Sequence, residues 1–324
     1  YLSKSFEIKI EDLRFIKFNS ADLKDINSNV VSQVEGIKKN EEMCCYGAKC
    51  ESCCKDNECY EDVNSFPVIL LHGHAFMKSS YVEESLEAFD DIQQKIISEG
   101  YIDGGMILPI NKNYQKGELG KVRIPTVFKT TYYFNVFDDK GNFVKAPSKS
   151  ESFKVYSERF GNVVDDVLSR TNRKKVNIVA HSMGGLVARN YIKDYDVDSK
   201  VNKLIMVATP NHGFHPQHSF FDCENFGAYK ECMDMKVGSE FLNNLNSGSE
   251  IYGNVKYHTI AGSGCVLEGV DGDGVVRPSS VELYGAANVK INAKNGCEPP
   301  FNKGFHSNLL NPSLYPKTYD YIKE

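Results

Sequence analysis

From Phe66 onward the apolar positions of the chain change period, and each change marks an element. Val68 to Leu71 is an unbroken apolar run, and Val176, Ile178 and Val179 form a second short β-branched run. Runs of this kind predict strands buried on both faces, as in a parallel sheet. Further strands are predicted over Met106 to Ile110, Thr126 to Phe137, Val201 to Ala208, Lys256 to Ala261 and Val289 to Ala293. Between them the spacing turns helical. Leu86, Phe89, Ile92, Ile96 and Ile97 recur every three or four residues over Ser85 to Glu99, where Gly100 ends the pattern. Phe153, Tyr156, Phe160, Val163, Val164, Val167 and Leu168 make one stripe over Glu151 to Ser169. Alternating strands and helices predict an α/β fold, a mostly parallel central sheet with helices on both faces. Ahead of it, Phe6, Ile8 and Ile10 alternate like a strand, and Ile26, Val30, Val34 and Ile37 recur like an amphipathic helix. Residues 1–60 are expected to be an extension packed on, or tethering, a main domain at 61–324.

The stretch from Val176 to Arg189 carries the first chemistry. After the apolar run comes Ser182, with Ala180 two residues before it and Gly184 two after, and then Leu186, Val187 and Tyr191 at helical spacing. That is a strand, a sharp turn and a helix. A serine on such a turn needs small neighbours on both sides so that strand and helix can approach. A plain helix-capping serine is the alternative, but it explains neither the small neighbours nor the double glycine. With Ala-His-Ser-Met-Gly-Gly at 180–185, the chain resembles the α/β-hydrolase superfamily, and within it the lipases, where glycine is commoner than alanine at position 180.

That resemblance implies a serine nucleophile at Ser182 and partners in the chain order acid, then histidine. His72-Gly73-His74 follows the strand at Val68 to Leu71 as in lipases, which assigns the oxyanion hole to the backbone N–H groups of His74 and Met183. A histidine at 74 replaces a commonly large apolar residue and would alter the shape of the acyl pocket. Val270-Asp-Gly-Asp-Gly-Val-Val276 resembles the lipase Asp-Gly-x-Val, mapping the acid to Asp273. Asp271 is the runner-up, otherwise a turn residue or a calcium ligand. Gly304-Phe-His-Ser-Asn-Leu-Leu310 places the base at His306, whereas His258 lies within a strand and before the acid. Thr209-Pro-Asn-His-Gly213 also has lipase counterparts, and Met235 to Leu245 resembles a helix set beside the active site. Residues 214–245 hold a candidate lid, mainly 214–234, or alternatively a loop stapled for stability. The aromatics Tyr132, Tyr133, Phe134 and Phe137 read as core rather than as an acyl channel. Two histidine groups have metal readings that rank below these roles: His72 with His74, and His212, His215 and His218 with Asp222.

Composition narrows the partners and the compartment. The 324 residues carry a net charge of -5 and no Lys/Arg run of the length that suggests a nucleic-acid partner, which argues against one. No apolar run is long enough to span a bilayer, and the start at Tyr1 leaves room for a signal peptide or anchor ahead of it. The chain has ten cysteines. Six lie between Cys44 and Cys59, where two adjacent doublets and the lack of a nearby histidine fit three disulfides better than a zinc site. Cys223 with Cys232, and Cys265 with Cys297, pair naturally by proximity. An oxidising compartment follows. No Asn-x-Ser/Thr acceptor occurs, which leans towards a bacterial or archaeal exported protein.

The expected activity is hydrolysis of carboxylic esters, acylglycerol-type lipid esters first, with transient lipid-interface contact through the lid. A short-chain or polyester esterase, an acyltransferase and a non-catalytic surface-binding module are the alternatives. The chemistry needs no cofactor; a structural calcium at Asp271 or a zinc in the cysteine cluster stays open, and nothing indicates an oligomeric state.

Overall fold

A computed structural model describes residues 42–46, 49–56, 58–74, 86–109, 119–133, 151–196, 198–214, 223, 228–267, 269–297 and 304–323. The patterns read at residues 1–40, and Phe134, Phe137, His215, His218 and Asp222, lie outside them.

A hairpin of β1 (Met43–Tyr46) and β2 (Lys49–Ser52) precedes the main sheet. The main sheet takes β3 (Val68–Leu71), β4 (Ile102–Ile107), β5 (Thr126–Thr130), β6 (Val176–His181), β7 (Val201–Val207), β8 (Lys256–Ser263) and, after an antiparallel ribbon of β9 (Cys265–Leu267) and β10 (Val270–Gly272), β11 (Ala287–Asn292). Its seven strands run in the order β11-β8-β7-β6-β3-β5-β4, and every pairing is parallel. From β3 the chain first builds β4 and β5 on one side, then returns to lay β6, β7, β8 and β11 on the other. The order therefore reverses between β3 and β6, and in open α/β sheets ligands bind at the carboxyl ends of the strands at such a point. The α/β class and the mostly parallel sheet read from the sequence are what the chain adopts.

Helices α1 (Asp90–Ser98), α2 (Phe153–Thr171), α3 (Met183–Asp194), α4 (Tyr229–Asp234), α5 (Glu240–Leu245), α6 (Pro278–Val281), α7 (Phe305–Asn308) and α8 (Pro316–Lys323) complete the described elements. Alternate residues of each central strand face opposite layers. Ile69, Leu71, Ile178 and Ala180 pack with Tyr156, Phe160, Leu186 and Tyr191 of α2 and α3. Val68, Leu70 and Val179 pack instead with Ile92 and Ile96 of α1 and with Phe305, Tyr319 and Ile322. Two covered faces explain why these strands read as continuous apolar runs.

Several elements depart from the spacing, among them β5, which ends at Thr130 and leaves Thr131 to Tyr133 outside the strand. β4 begins at Ile102 rather than Met106, because Gly104 lies under the Phe128 ring, where a Cβ would come within 2.2 Å of the ring carbons. The stretch Met235 to Leu245 is not one helix: Gly238 has φ +78, so α4 ends before it and α5 starts after it.

All ten cysteines pair: Cys44–Cys53, Cys45–Cys50, Cys54–Cys59, Cys223–Cys232 and Cys265–Cys297. The first three fasten the hairpin segment to itself, and Arg173 ties it to the sheet. The buried guanidinium donates to the Ser65 hydroxyl at 2.9 Å and to the carbonyls of Thr171 at 2.9 Å, Gly120 at 3.2 Å and Val122 at 2.5 Å. Removing it strands several buried carbonyls at once. Arg173→Ala is expected to lower stability by about 2–4 kcal/mol, read as a fall in the urea midpoint; an unchanged midpoint would show that water replaces these bonds at no cost.

Candidate active site

Ser182 stands between β6 and α3 with φ 50 and ψ -127, a backbone region that costs a non-glycine residue free energy and persists only where the surroundings enforce it. The enforcing contacts are close packing. A Cβ on Gly184 would lie 2.3 Å from the carbonyl oxygen of His72, and one on Gly185 would lie 2.1 Å from the Thr209 hydroxyl. Glycine at both positions lets α3 start hard against the ends of β3 and β7. A Cβ on Gly73 would sit 2.8 Å from the Ser182 Cβ, so β3 ends directly beside the serine. The Ser182 N–H donates to Val207 at 2.8 Å, fixing the turn to the neighbouring strand.

Asp273 follows β10, and His306 lies in α7, both buried. The His306 Nδ1 lies 2.8 Å from Asp273 Oδ2. Asp273 Oδ1 accepts from the N–H groups of Val275 at 2.8 Å and Val276 at 2.7 Å, so the carboxylate is locked while its other oxygen holds the imidazole. That bond assigns the Nδ1–H tautomer and makes Nε2 the nitrogen able to take up a proton. Gly262 of β8 gives Asp273 its room, since a Cβ there would meet the Asp273 Cβ at 2.6 Å. His181, next in chain to Ser182, donates from Nε2 to the His306 carbonyl at 3.0 Å, with the two rings 4.7 Å apart. The short helix that carries His306 is thus tied to the turn that carries Ser182. Asp271, the runner-up acid, is exposed and accepts instead from the Gly264 N–H at 2.6 Å, a local turn role.

The end of β3 is held by groups that sequence spacing did not single out together. The His72 ring lies with Nδ1 2.6 Å from the Gly73 carbonyl and Nε2 2.8 Å from the Thr131 hydroxyl. Tyr132 donates its phenol to the same Gly73 carbonyl at 2.9 Å. A peptide group is planar and trans, so clamping the Gly73 carbonyl also sets the opposite direction of the His74 N–H. Both tyrosines stack against His72, with centroids 4.4 and 5.2 Å away; they are buried core, as read. The His74 side chain lies in a buried polar cluster, Nδ1 2.5 Å from Glu231 Oε2. Glu231 also accepts from Tyr133 at 3.3 Å and from Tyr156.

Both ring nitrogens of His72 and Nδ1 of His74 thus have protein partners, and His212 lies 2.8 Å from Glu250. Among the described residues no cluster of three or more His, Cys, Asp or Glu side chains has metal-holding geometry. Around the candidate lid, Phe214 donates to Met235 at 3.0 Å and accepts from Val237 at 3.4 Å. The two ends of the 214–235 stretch are thus held together, and Cys223–Cys232 bridges within it; residues 215–222 and 224–227 lie outside the described ones. On the part that returns, Tyr229, Met233 and Val237 are 59, 39 and 46 % exposed at four-residue intervals.

Residues 126–269 match the class 2 lipase family. The match covers under half of the chain's 324 residues; it contains Ser182 and stops short of Asp273 and His306. It bears out the resemblance to α/β-hydrolase lipases and supports ester hydrolysis as the general class of reaction. Among solved structures, the chain is similar to the lin2722 gene product of Listeria innocua, at 18 % identity over 80 % of this chain and 94 % of that one, with a TM-score of 0.49. It is also similar to lipase B of Aspergillus fumigatus, at 14 % identity over 82 % of this chain and 54 % of that one, with a TM-score of 0.48. A third similarity is to the mature form of lipase BlEst2 of Bacillus licheniformis, at 14 % identity over 81 % and 93 %, with a TM-score of 0.48. No curated protein matches the sequence.

Burial makes His72 and His181 sensitive to acid. It pushes His72 down to about 4 and His181 down to about 3, the latter helped by the adjacent His306. In the unfolded chain both would titrate near ~6.5. Between those values the unfolded state binds more protons, so stability present near neutral pH is lost as pH falls from about 6.5 towards 4. The slope should approach about 1.4 kcal/mol per pH unit for each histidine. Urea midpoints measured from pH 7.5 to 4.5 should fall accordingly, and fall less steeply in His181→Asn. A midpoint independent of pH over that range would contradict neutral burial of these rings.

Proposed function

We propose that the chain is a serine carboxylic ester hydrolase of lipase type, with Ser182 as nucleophile, His306 as base and Asp273 as its orienting acid. The observation that supports it most is the buried Asp273–His306 pair, 2.8 Å apart, tied through His181 to the strained turn that carries Ser182. A serine hydroxyl is a weak nucleophile, so His306 Nε2 takes its proton as Oγ attacks the ester carbonyl. Asp273 stabilises the imidazolium that forms. Negative charge then builds on the carbonyl oxygen, and the backbone N–H groups of His74 and Met183 receive it. Met183 is the first residue of α3, where backbone N–H groups have no intrahelical acceptor and the helix dipole favours an anion. His306 returns the proton to the leaving alcohol, then activates water to release the acid. Side chains and backbone carry every step.

Acylglycerol-type esters are the preferred substrates. The exposed apolar side chains of Tyr229, Met233 and Val237 lie within the segment read as a lid, as suits brief contact with a lipid surface. Five disulfides fit an oxidising, extracellular setting, and the missing Asn-x-Ser/Thr acceptors favour a bacterial or archaeal exporter.

Ser182→Ala should lower kcat/KM for p-nitrophenyl esters by about 10⁴-fold or more without altering the thermal melt. Surviving activity would displace the nucleophile assignment. Across acyl chain lengths, rates should rise for long chains above micelle formation. A preference for the shortest esters would make the protein a simple esterase, and diversion of product to new ester by added alcohols would make it an acyltransferase.

A further inference from the structure

We infer that Glu231 is a positioning residue that acts through the His74 side chain to aim the His74 backbone N–H, and so couples the disulfide-bridged segment at 223–232 to the oxyanion hole. The inference rests on the ester-hydrolase reading above.

Glu231 is fully buried, although it lies on the short helix α4, whose other face exposes Tyr229 and Met233. A carboxylate is not taken out of water without strong partners. Its partners here are His74 Nδ1 at 2.5 Å and the phenols of Tyr133 and Tyr156. Burial and the adjacent carboxylate hold the Tyr156 phenol protonated, well above the usual tyrosine range, so it is a lasting donor. The cluster joins the end of β3 to α2 through Tyr156 and to α4 through Glu231, and the neighbouring Cys232 fastens α4 to Cys223.

The Gly73–His74 peptide is therefore gripped on both sides. His72 and Tyr132 hold the Gly73 carbonyl, while Glu231 holds the imidazole of the residue that bears the N–H. Gly73 itself resists little, because glycine lets the backbone rotate. Losing the imidazole anchor would let the N–H swing away from the position where charge develops. A misaimed donor raises the barrier of the chemical step while leaving ground-state binding in place. Glutamine at 231 keeps the shape but puts an amide N–H2 where one carboxylate oxygen accepted, so either His74 or Tyr156 loses its acceptor.

The test is steady-state kinetics of Glu231→Gln, His74→Ala and the double variant on a p-nitrophenyl ester, normalised to active sites, beside wild type and Ser182→Ala. Glu231→Gln should lower kcat about tenfold to a hundredfold, with KM within about threefold and the pH at which the basic group of the rate profile titrates unchanged. In the His74→Ala background, Glu231→Gln should change kcat by less than about threefold, because both act on one peptide. Should Glu231→Gln fail to fold, Tyr156→Phe, which removes one donor and keeps the ring, should show the same split, with a kcat loss of about threefold to tenfold. Unchanged kcat in a folded variant, losses that multiply in the double variant, or a loss confined to the thermal melt would overturn the inference. A wild type that hydrolyses no ester would instead remove the underlying reading. Wild-type activity abolished by Ser182→Ala, with Glu231→Gln unimpaired, would remove the inference alone.

Discussion

The site depends on one steric constraint, the approach of the first turn of α3 to the ends of β3 and β7. Gly184 admits the His72 carbonyl and Gly185 admits Thr209 at distances no side chain would tolerate. With the helix pressed in this way, the chain between β6 and α3 has to turn at Ser182 with positive φ. The turn lifts the serine above the sheet at the switch point between β3 and β6, and it puts the N-terminus of α3 beside the serine. The proposed nucleophile and one of the proposed oxyanion donors are consequences of the same packing. Ala180 in place of the commoner glycine fits because it is buried within β6 and faces the α2–α3 layer, so its methyl does not enter the crowded gap on the β3 side.

Around that turn the interior is unusually polar. His72, His74, His181, His306, Asp273 and Glu231 are all buried, and each has a hydrogen-bond partner that fixes its ring or carboxylate. Such groups cost stability in isolation and are tolerated when fully paired. Here the pairing also serves geometry: the His72 bond restrains the Gly73 peptide beside Ser182, and the His181 bond restrains the backbone of His306. Stability is supplied elsewhere, by the two apolar layers flanking the sheet and by disulfides that brace the segments carrying few apolar residues. Cys265–Cys297 is one of these. Cys265 begins the ribbon that leads to Asp273, and Cys297 lies on the path towards His306.

Much of this was legible before any coordinates. Unbroken apolar runs revealed the doubly covered strands, small residues flanking Ser182 revealed the turn, and chain order selected Asp273 and His306, which the fold brings into contact. Two adjacent cysteine doublets without histidine pointed to bridges rather than zinc, and proximity paired the remaining four cysteines as found. What escaped was non-local. Glu231 reads as an ordinary surface acid in Lys-Glu-Cys, and only a contact across 157 residues with His74 buries it. The roles of Tyr132 and Tyr156 as clamps look like strand and helix core, because their rings do pack there and only their hydroxyls do otherwise. The start of β4 is obscured by two glycines, Gly104, which gives room to Phe128, and Gly105, which adopts φ +71, and both reasons appear only in three dimensions. The histidine at 74 reads as a change in acyl-pocket shape, and nothing local in the sequence points to the buried polar cluster with Glu231 in which its ring lies.

The central claim is that the strained turn presents an activated serine to an electrophile. The most direct measurement is reaction of the folded protein with a fluorophosphonate, followed by mapping of the modified residue by mass spectrometry. The account predicts one adduct per chain, on Ser182, forming quickly in the native protein, lost on unfolding, and slowed at least a hundredfold by His306→Ala. An unlabelled native protein, or an adduct on any residue other than Ser182, would contradict it.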